Sequence, residues 1–243
     1  MNNNYTFDYI KKIVELFQLI DNKEKDNIQK AATIIADATK NNKVIHTFGT
    51  GHSHMIGIEL FGRAGGLANV NAMIDPDTLT SFGARRSSEL EKLPGLAEII
   101  YNQYKVSPGD IMIVTSNSGR NAAPIEMAMK AKKEGIYTIA LTNLEQSKNT
   151  TSRHPSGKKL YECVDLVLDT HVPDSDALEI IGGVKTGPAS SLASMIILNT
   201  AINEALKMLA NEGIALPVLQ SQNVDGFNND DLYAKYEDRV KHF

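Results

Sequence analysis

The stretch from residue 110 to residue 135 constrains the fold most, because it joins a short apolar run directly to a helical pattern. Residues 111–114 (Ile-Met-Ile-Val) are apolar and mostly β-branched, which is typical of a buried strand. Ile125 and Ala128 then lie at helical spacing, and a glycine at position 135 ends the pattern. The stretch therefore predicts a strand, a short loop and a helix over 121–134 in immediate succession.

The loop inside this stretch consists of small hydroxyl and amide residues. It contains Thr115, Ser116, Asn117, Ser118 and Gly119, and Asn121 stands where the helix begins. Such a loop offers side-chain hydroxyls and unpaired backbone N–H groups to an anion such as phosphate or carboxylate. The same residue types also favour turns that only cap their own helix, so both interpretations stay open on this segment alone.

A second strand–loop–helix unit precedes this one. Residues 43–48 are predicted to form a strand, the loop 49–54 (Gly-Thr-Gly-His-Ser-His) follows, and a helical pattern continues to Arg63. Glycines in such a loop let the backbone approach an anion closely, and Ser53 can cap the helix or bind a ligand oxygen. The glycine spacing fits neither the dinucleotide-binding fingerprint nor the P-loop.

Further short apolar runs alternate with helical patterns along the chain. They predict strands at 67–74, 136–142 and 164–168, helices at 88–104 and 189–211 with a break near Pro94, and loop-like segments at 145–160 and 171–188. This alternation predicts an α/β fold, a three-layer α-β-α sandwich with a mainly parallel, flavodoxin-like sheet. Ligands of such folds lie at the carboxyl ends of the strands. The loops at 49–54, 115–121, 142–143 and 170–187 are therefore predicted to share one edge.

The N-terminal segment is predicted to contain two helices that come before any strand. Apolar residues recur at helical spacing over 5–20, and Asp21 with Glu24 fits a capping box for a second helix. We expect a single domain over residues 1–243. Within it we expect a helical extension at 1–41, the sheet and its covering helices at 42–212, and a tail at 213–243.

Composition excludes several classes of protein. The formal charge of −4 and a pI near 5.9 argue against a basic surface for nucleic acid. Cys163 is the only cysteine, which excludes an internal disulfide and a multi-cysteine metal site. The first eight residues lack the layout of a signal peptide, so we expect a cytoplasmic protein. Asn199 and Glu204 interrupt the apolar stretch 189–210, which predicts a buried helix rather than a membrane span.

The two hydroxyl-bearing loops, taken with the sequence Glu-Leu-Phe-Gly-Arg at 59–63, resemble the sugar isomerase (SIS) domain family. The loop 49–54 is similar to the first loop of phosphoheptose isomerases, and residues 115–119 are similar to the family's Ser-x-Ser phosphate loop. The segments 118–122, 152–158 and 223–226 resemble a bacterial branch of the family that is labelled as phosphosugar-binding proteins or sugar isomerases. The resemblance implies the SIS fold and a small-molecule sugar phosphate as partner.

The resemblance also implies which residues would hold the phosphosugar. These ligand contacts are Gly51, His52, Ser53, Ser116, Asn117, Ser118, Asn121 and Glu179. Ser53 and Asn121 have an alternative role, because each can simply cap the helix that follows it. Ser116 and Ser118 are the residues for which a ligand role is expected most directly.

The resemblance further implies a cofactor-free aldose–ketose isomerase. In that reaction a carboxylate moves a proton between adjacent carbons and an acid assists, and Glu59 matches the family's carboxylate. Between Ser53 and Glu59 this chain is about four residues, roughly one helical turn, shorter than the heptose isomerases. Those enzymes carry a histidine on the last long helix, whereas residues 189–211 contain none. His171, His54 and His52 are therefore the candidate acids, and no metal site is predicted.

Two alternative functions remain open at this point. The missing helical histidine favours a phosphosugar sensor that binds its ligand without turnover. Glu179 begins a segment similar to one in N-acetylmuramic acid 6-phosphate etherases, which favours a lyase. Sites of SIS proteins commonly lie between subunits, so the resemblance implies a homodimer or homotetramer, with the leading helices and helix 189–211 as the predicted interface. No nucleic-acid or membrane partner is expected.

Overall fold

A five-stranded parallel sheet forms the centre of the molecule. The computed structural model describes residues 5–243; residues 1–4, which belong to the segment considered for a signal peptide and to the expected N-terminal extension, lie outside the described residues. The strands are β1 Ile45–Gly49, β2 Val70–Ala72, β3 Ile111–Thr115, β4 Tyr137–Thr142 and β5 Leu166–Asp169. Their order across the sheet is β2-β1-β3-β4-β5, and every neighbouring pair is parallel. The predicted parallel α/β sheet is confirmed.

Helices cover both faces of this sheet. They are α1 Asp8–Lys40, α2 His54–Leu60, α3 Ala84–Leu90, α4 Leu96–Tyr101, α5 Ala122–Lys133, α6 Leu144–Asn149, α7 Ser190–Asn211 and α8 Asp230–Tyr236. The two faces of β3 are both buried: Ile111 and Ile113 join the core under α1, α2 and α7, while Met112 and Val114 join the core under α4 and α5. Because a strand alternates its side chains between faces, this two-sided burial is that of a three-layer α-β-α sandwich.

The N-terminal segment forms one helix, and the prediction of two helices is wrong. α1 continues without interruption through Asp21 and Glu24. Buried residues follow one another at four-residue spacing across the expected junction, namely Leu16, Ile20, Glu24 and Ile28. This continuous stripe packs against α7 and β5, so burial of one long face overrides the local capping signal. Glu24 is part of that stripe and does not cap a second helix.

Two segments predicted as loops contain regular structure. The short helix α6 begins at Leu144, and the segment 171–188 contains an antiparallel hairpin of β6 Glu179–Ile181 and β7 Val184–Thr186. Gly182 and Gly183 form its turn with φ of 57° and 82°, the left-handed conformation that a two-residue hairpin turn requires. Ile180 and Val184 are exposed, so the hairpin has no buried face whose alternating pattern would have predicted it.

The region between β1 and β3 differs from prediction only at the boundaries of its elements. Within the predicted strand 67–74, Val70–Ala72 pairs in the sheet, while Leu67 forms an antiparallel bridge with Val218 near the C-terminus. The predicted helix at 88–104 is divided into α3 and α4, and Gly95 at the division has a φ of 88°. The break predicted near Pro94 is therefore confirmed.

α7 is, within residues 5–243, the helix that is long and apolar enough to cross a bilayer by length and composition. Its buried residues, among them Ile197, Leu198 and Ala201, belong to the core cluster shared with α1 and the sheet. This packing is that of a core helix of a globular domain, as predicted from its interrupting polar residues.

A buried polar cluster connects the C-terminal tail to the edge of the sheet where the parallel strands begin. Arg239 Nη2 donates to Asp110 Oδ2 at 2.6 Å, and His46 Nε2 lies 3.1 Å from the same oxygen. The other carboxylate oxygen of Asp110 accepts from the backbone N–H of Val44 at 2.9 Å. Burial alone would raise the pKa of Asp110, but the hydrogen bonds from His46 and the backbone hold it below its usual value.

We predict that Asp110→Asn lowers the free energy of unfolding by about 3 kcal/mol, since it leaves buried donors and Arg239 without a charged partner. Because the folded-state pKa of Asp110 is depressed, its contribution is present above the usual value of 3.8 and is lost as pH falls through the lower folded value. Urea denaturation between pH 2.5 and 7 measures both effects.

The matched control is Asp26→Asn, which removes an exposed carboxylate from α1. We expect it to leave the unfolding free energy nearly unchanged. If Asp110→Asn changed the unfolding free energy as little as Asp26→Asn does, this cluster would not be what holds the tail against the sheet.

Candidate functional site

A small polar cleft lies at the carboxyl edge of the sheet, between the first loop, the second loop and the start of α7. Its enclosed volume is about 20 Å³, and it is lined by His52, Ser53, Ile56, Thr115, Asn117, Ser190, Ser191 and Ser194. Three of the predicted ligand residues, His52, Ser53 and Asn117, therefore meet in one place. The cleft presents several hydroxyl groups, which are donors suited to phosphate or carboxylate oxygens.

The first loop is held in a tight conformation by backbone contacts. A side chain at Gly49 would place its Cβ 2.5 Å from the carbonyl oxygen of Ser53, so only glycine fits there. Gly51 has a φ of 58°, and its carbonyl oxygen is bonded by the ring nitrogen Nδ1 of His54. His54 is thus engaged within its own loop, whereas His52 is exposed beside the cleft. Ser53 precedes α2 but makes no capping hydrogen bond.

The second loop turns sharply at Gly119. Its φ is 57°, and a Cβ at this position would lie 3.0 Å from the hydroxyl oxygens of both Ser147 and Thr142. Ser116 is buried, and its hydroxyl oxygen accepts from the N–H of Gly119 at 3.2 Å. Ser116 therefore braces the loop, and neither Ser116 nor Ser118 is among the residues that line the cleft with Ser53.

Asn117 is positioned by contacts to the next two strand ends. Its amide nitrogen donates to Gln146 Oε1 at 3.2 Å, and its amide oxygen accepts from the hydroxyl of Thr170 at 3.3 Å. Its backbone carbonyl accepts from the N–H of Asn143 at 2.9 Å. The predicted grouping of the loops after β3, β4 and β5 on one edge is therefore present in the structure.

Glu91 joins the two loops and was not predicted from the sequence. Thr50 of the first loop donates to its carboxylate at 2.7 Å, and Asn121 of the second loop donates at 2.5 Å. Asn121 stands at the N-cap position of α5 but makes no capping hydrogen bond. Burial raises the pKa of Glu91, with the hydrogen bond from Thr50 opposing the shift. No local pattern marked Glu91, because its partners come from other parts of the chain.

The start of α7 supplies the remaining wall of the cleft. Asp176 accepts from the N–H groups of Ala189 and Ser190 at 2.9 and 2.7 Å, and from the hydroxyl of Ser190 at 2.6 Å. This cap fixes the helix terminus beside the loops. The contribution of Ser190, Ser191 and Ser194 was missed, although two adjacent serines at the start of a predicted helix were a visible signal.

Glu59 faces a different cleft from Ser53. Its carboxylate pairs with Arg63 and accepts from Asn199 Nδ2 at 3.3 Å, in a groove formed by the end of α2 and the middle of α7. Six residues separate Ser53 from Glu59, which turns the side chain roughly 240° around the helix axis. Within one chain, the predicted carboxylate and the serine cleft are therefore on different faces of α2.

His171 is held by two carboxylates. Its Nε2 lies 2.9 Å from Glu24 Oε1, and its Nδ1 lies 3.6 Å from Asp169 Oδ2. The hydrogen bond that His171 donates to Glu24 raises the pKa of His171, burial opposes this, and the charge of Asp169 adds to it. Burial alone would raise the pKa of Glu24, but hydrogen bonds from His171, Asn27 and the Asp169 backbone lower it. The two side chains thus form a charged pair at the carboxyl edge.

Two further candidates are placed as follows. Glu179 lies in the hairpin strand β6, and its carboxylate is 3.6 Å from Lys12 Nζ of α1. Over residues 5–243, no three His, Cys, Asp or Glu side chains are grouped so that they would hold a metal ion. Cys163 is buried in the core beneath α5, and burial raises the pKa of its thiol.

Comparison with known sequences identifies the family. The SIS domain profile matches residues 8–143. A UPF0309 protein of Geobacillus kaustophilus is 41% identical over 236 residues, which cover 96% of this chain and 94% of that protein. A UPF0309 protein of Halalkalibacterium halodurans is 36% identical over 240 residues, covering 97% of this chain and 99% of that protein. The chain belongs to the SIS domain family, as predicted from its loops.

Solved structures support the same fold. Phosphoheptose isomerase GmhA from Neisseria gonorrhoeae superimposes with a TM-score of 0.57 at 16% identity, covering 82% of this chain and 95% of that one. The Vibrio vulnificus NanR protein complexed with ManNAc-6P gives a TM-score of 0.52 at 16% identity, covering 84% of this chain and 63% of that one. At such identities the likeness establishes the SIS fold and nothing finer.

We predict that Glu24→Gln lowers the pKa of His171 and reduces the unfolding free energy by about 2 kcal/mol near pH 6. The raised folded-state pKa of His171 means that its contribution is present below its usual value of 6.5 and is lost as pH rises through the higher folded value. Glu24 has a lowered pKa, so its contribution is lost instead as pH falls below its usual 4.5. The Glu24–His171 pair therefore stabilises the folded state most between pH 4.5 and 6.5, the usual pKa values of the two groups.

An NMR titration of the histidine Cε1 protons, with urea denaturation at pH 6 and 8.5, measures this prediction. Glu15→Gln, an exposed position on α1, is the matched control. An unchanged His171 titration in Glu24→Gln would show that the pair is not the cause of the shift.

Proposed function

We propose that this protein binds a sugar phosphate at the serine cleft and interconverts its aldose and ketose forms without a cofactor. The observation that carries the proposal is the meeting of Ser53, Thr115 and Asn117 with the serines of α7 at the carboxyl edge of the sheet. In parallel α/β folds this edge is where ligands bind. The free thiol Cys163 and the class of metabolite agree with a cytoplasmic location.

The cleft is far too small to enclose a whole sugar phosphate. Its volume of about 20 Å³ compares with the roughly 300–1,000 Å³ typical of sites that enclose small molecules. We infer that the phosphate binds at the mouth of the cleft, contacted by Ser53 and by the second loop through Thr115 and Asn117. The sugar then extends beyond the cleft, towards solvent or towards a second copy of the chain.

In this proposal Glu59 is the base that moves the proton between adjacent carbons, and His171 or His54 is the acid. Because Glu59 lies on another face of α2 from the cleft in the same chain, the proposal requires that two copies combine. The surface around Glu59 agrees with this, since the exposed side chains of Met55 and Ile58 on α2 form an apolar patch with Met195 of α7. We therefore propose a homodimer or homotetramer that buries this patch.

The separation of Glu59 from the cleft also favours a second candidate function. A protein that binds a sugar phosphate as a signal needs the anion site but no aligned base. The NanR protein, a structural neighbour, was solved in complex with ManNAc-6P, so this fold accommodates binding of that kind. The lyase alternative keeps Glu179 as its candidate residue, and its substrate would be N-acetylmuramic acid 6-phosphate.

We predict that hexose, pentose, heptose or amino-sugar phosphates raise Tm, whereas the same sugars without phosphate do not. At a ligand concentration of about 100 Kd, mass action stabilises the folded state by about 2.7 kcal/mol, a shift of roughly 5–10 °C for a chain of this size. Ser53→Ala should reduce the shift, while Ser88→Ala, an exposed serine of α3, should not. The absence of any phosphate-dependent shift would reject the proposed ligand class.

Turnover of the ligand found in that screen then separates the three functions. We expect aldose–ketose exchange, followed by NMR, to fall at least about 100-fold in Glu59→Gln while binding is retained. Glu89→Gln, an exposed carboxylate of α3, is the matched control. Equal rates in wild type and Glu59→Gln would reject Glu59 as the base. Binding without turnover would select the sensor, and release of lactate from N-acetylmuramic acid 6-phosphate would select the lyase.

A further inference from the structure

Two arginines, Arg120 and Arg153, lie together beside the second loop, and neither has an ion-pair partner in the described part of the chain. The backbone N–H of Arg153 donates to the carbonyl oxygen of Arg120 at 2.8 Å, which brings the two residues into contact. Neither guanidinium lies within ion-pair distance of a carboxylate anywhere in residues 5–243, although most other arginines there do. Two positive charges are therefore adjacent, and neither is paired directly with a carboxylate.

Their hydrogen bonds show how the guanidinium groups are held. Arg120 Nη2 donates to the hydroxyl of Thr151 at 3.1 Å, and Arg153 Nη1 donates to the amide oxygen of Asn121 at 3.2 Å. The Nε of Arg120 is buried and has no hydrogen-bond acceptor among residues 5–243. Buried donors without an acceptor are rare in folded proteins, because each costs free energy that an acceptor would recover.

The nearby carboxylates are engaged by other donors. Glu91 accepts from Thr50 and Asn121, at 2.7 and 2.5 Å. Glu126 accepts from the N–H of Gly95 at 2.7 Å and pairs with His154 at 3.2 Å. Burial and the positive charge of Arg153 both lower the pKa of Arg120, as expected for a guanidinium beside a second positive charge.

The position of the pair relates it to the proposed phosphosugar site. Arg120 follows the sharp turn at Gly119, and α5, a helix of 12 residues, begins two residues later. The side chain of Asn121 does not cap this helix but contacts Glu91 and Arg153 instead. Glu91 also accepts from Thr50 of the first loop, and His52 and Ser53, which come shortly after Thr50, line the cleft. The arginine pair is therefore connected to the cleft through the side chains of Asn121 and Glu91.

We propose that Arg120 and Arg153 form a second anion subsite, which takes a carboxylate or a second phosphate of the sugar phosphate bound at the serine cleft. This inference rests on the proposed function and narrows its substrate class to sugars that carry two acidic groups. Arginine suits the role because its planar guanidinium pairs with both oxygens of a carboxylate or phosphate. An anion there would supply the missing acceptor of Arg120 Nε and relieve the repulsion between the two guanidinium groups.

The test on the wild-type protein compares three probes by isothermal titration calorimetry at low salt. They are glucose 6-phosphate, 6-phosphogluconate and glucose 1,6-bisphosphate, which share a phosphate and differ in the second acidic group. We expect at least one diacidic probe to bind about tenfold or more tightly than glucose 6-phosphate, as charge-assisted hydrogen bonds predict. Whichever diacid is preferred identifies the group that the subsite takes.

Variants then assign the preference to the two arginines. In Arg120→Gln and in Arg153→Gln, the affinity for the diacid should fall to within about twofold of the affinity for the monophosphate. The affinity for the monophosphate itself should stay unchanged. Arg85→Gln, an exposed arginine of α3 without an ion pair, removes the same charge and should keep the preference. If Arg120→Gln fails to fold, the exposed Arg153 provides the test.

Each outcome decides the inference. A wild-type protein that binds the monophosphate as tightly as both diacids overturns the second subsite and leaves the proposed function standing. A diacid preference that survives in both arginine variants also overturns it, because other groups would then be responsible. Failure of all three probes to bind, in a protein that no other sugar phosphate stabilises, removes the proposed function together with the inference.

Discussion

The register between β1 and β3 is the constraint on which the rest of the site depends. Gly49 pairs with Thr115 across the parallel ladder, so the last residues of the two strands stand side by side. The chain leaves both strands at the same level of the sheet, and the loops that follow must occupy neighbouring space. Only because of this register do Ser53 and Asn117, 64 positions apart in a 243-residue chain, line one cleft.

The helices on one face of the sheet position the other parts of the site. α1 and α7 pack along each other, and α7 brings its serines to the end of β3, while α1 brings Glu24 to His171 at the end of β5. The long buried stripe of α1 explains why this helix is continuous, since breaking it near Asp21 would expose apolar residues on both sides. The N-terminal helix is thus part of the layer that builds the carboxyl edge.

Much of the fold was predictable because the strands are short apolar runs and the helices follow them at once. Residues 111–115 and 136–142 are examples: a strand that is buried on both faces can be predicted from its apolar composition alone. The loops of the site were likewise predictable, because glycine and serine between a strand and a helix have a direct physical meaning. The family was predictable from the same two loops.

Other features depended on long-range contacts that no local pattern records. The capping signal at Asp21 was real as a local preference, but burial of Glu24 against His171 outweighed it. The hairpin at 179–186 has no buried face that an alternating pattern would reveal. Glu91 connects the two loops only because Thr50 and Asn121, which lie far away in the chain, donate to its carboxylate. The arginine pair also arises from packing of the segment around Arg153 over the loop at Arg120.

The most direct measurement of the account is a crystal structure of the protein soaked with the sugar phosphate that gives the largest thermal shift. The account predicts density for the phosphorus atom in the serine cleft, with phosphate oxygens within hydrogen-bond distance of Ser53 and the second loop. A phosphate bound elsewhere, or an empty cleft at saturating ligand, would contradict the claim that these loops converge on one anion.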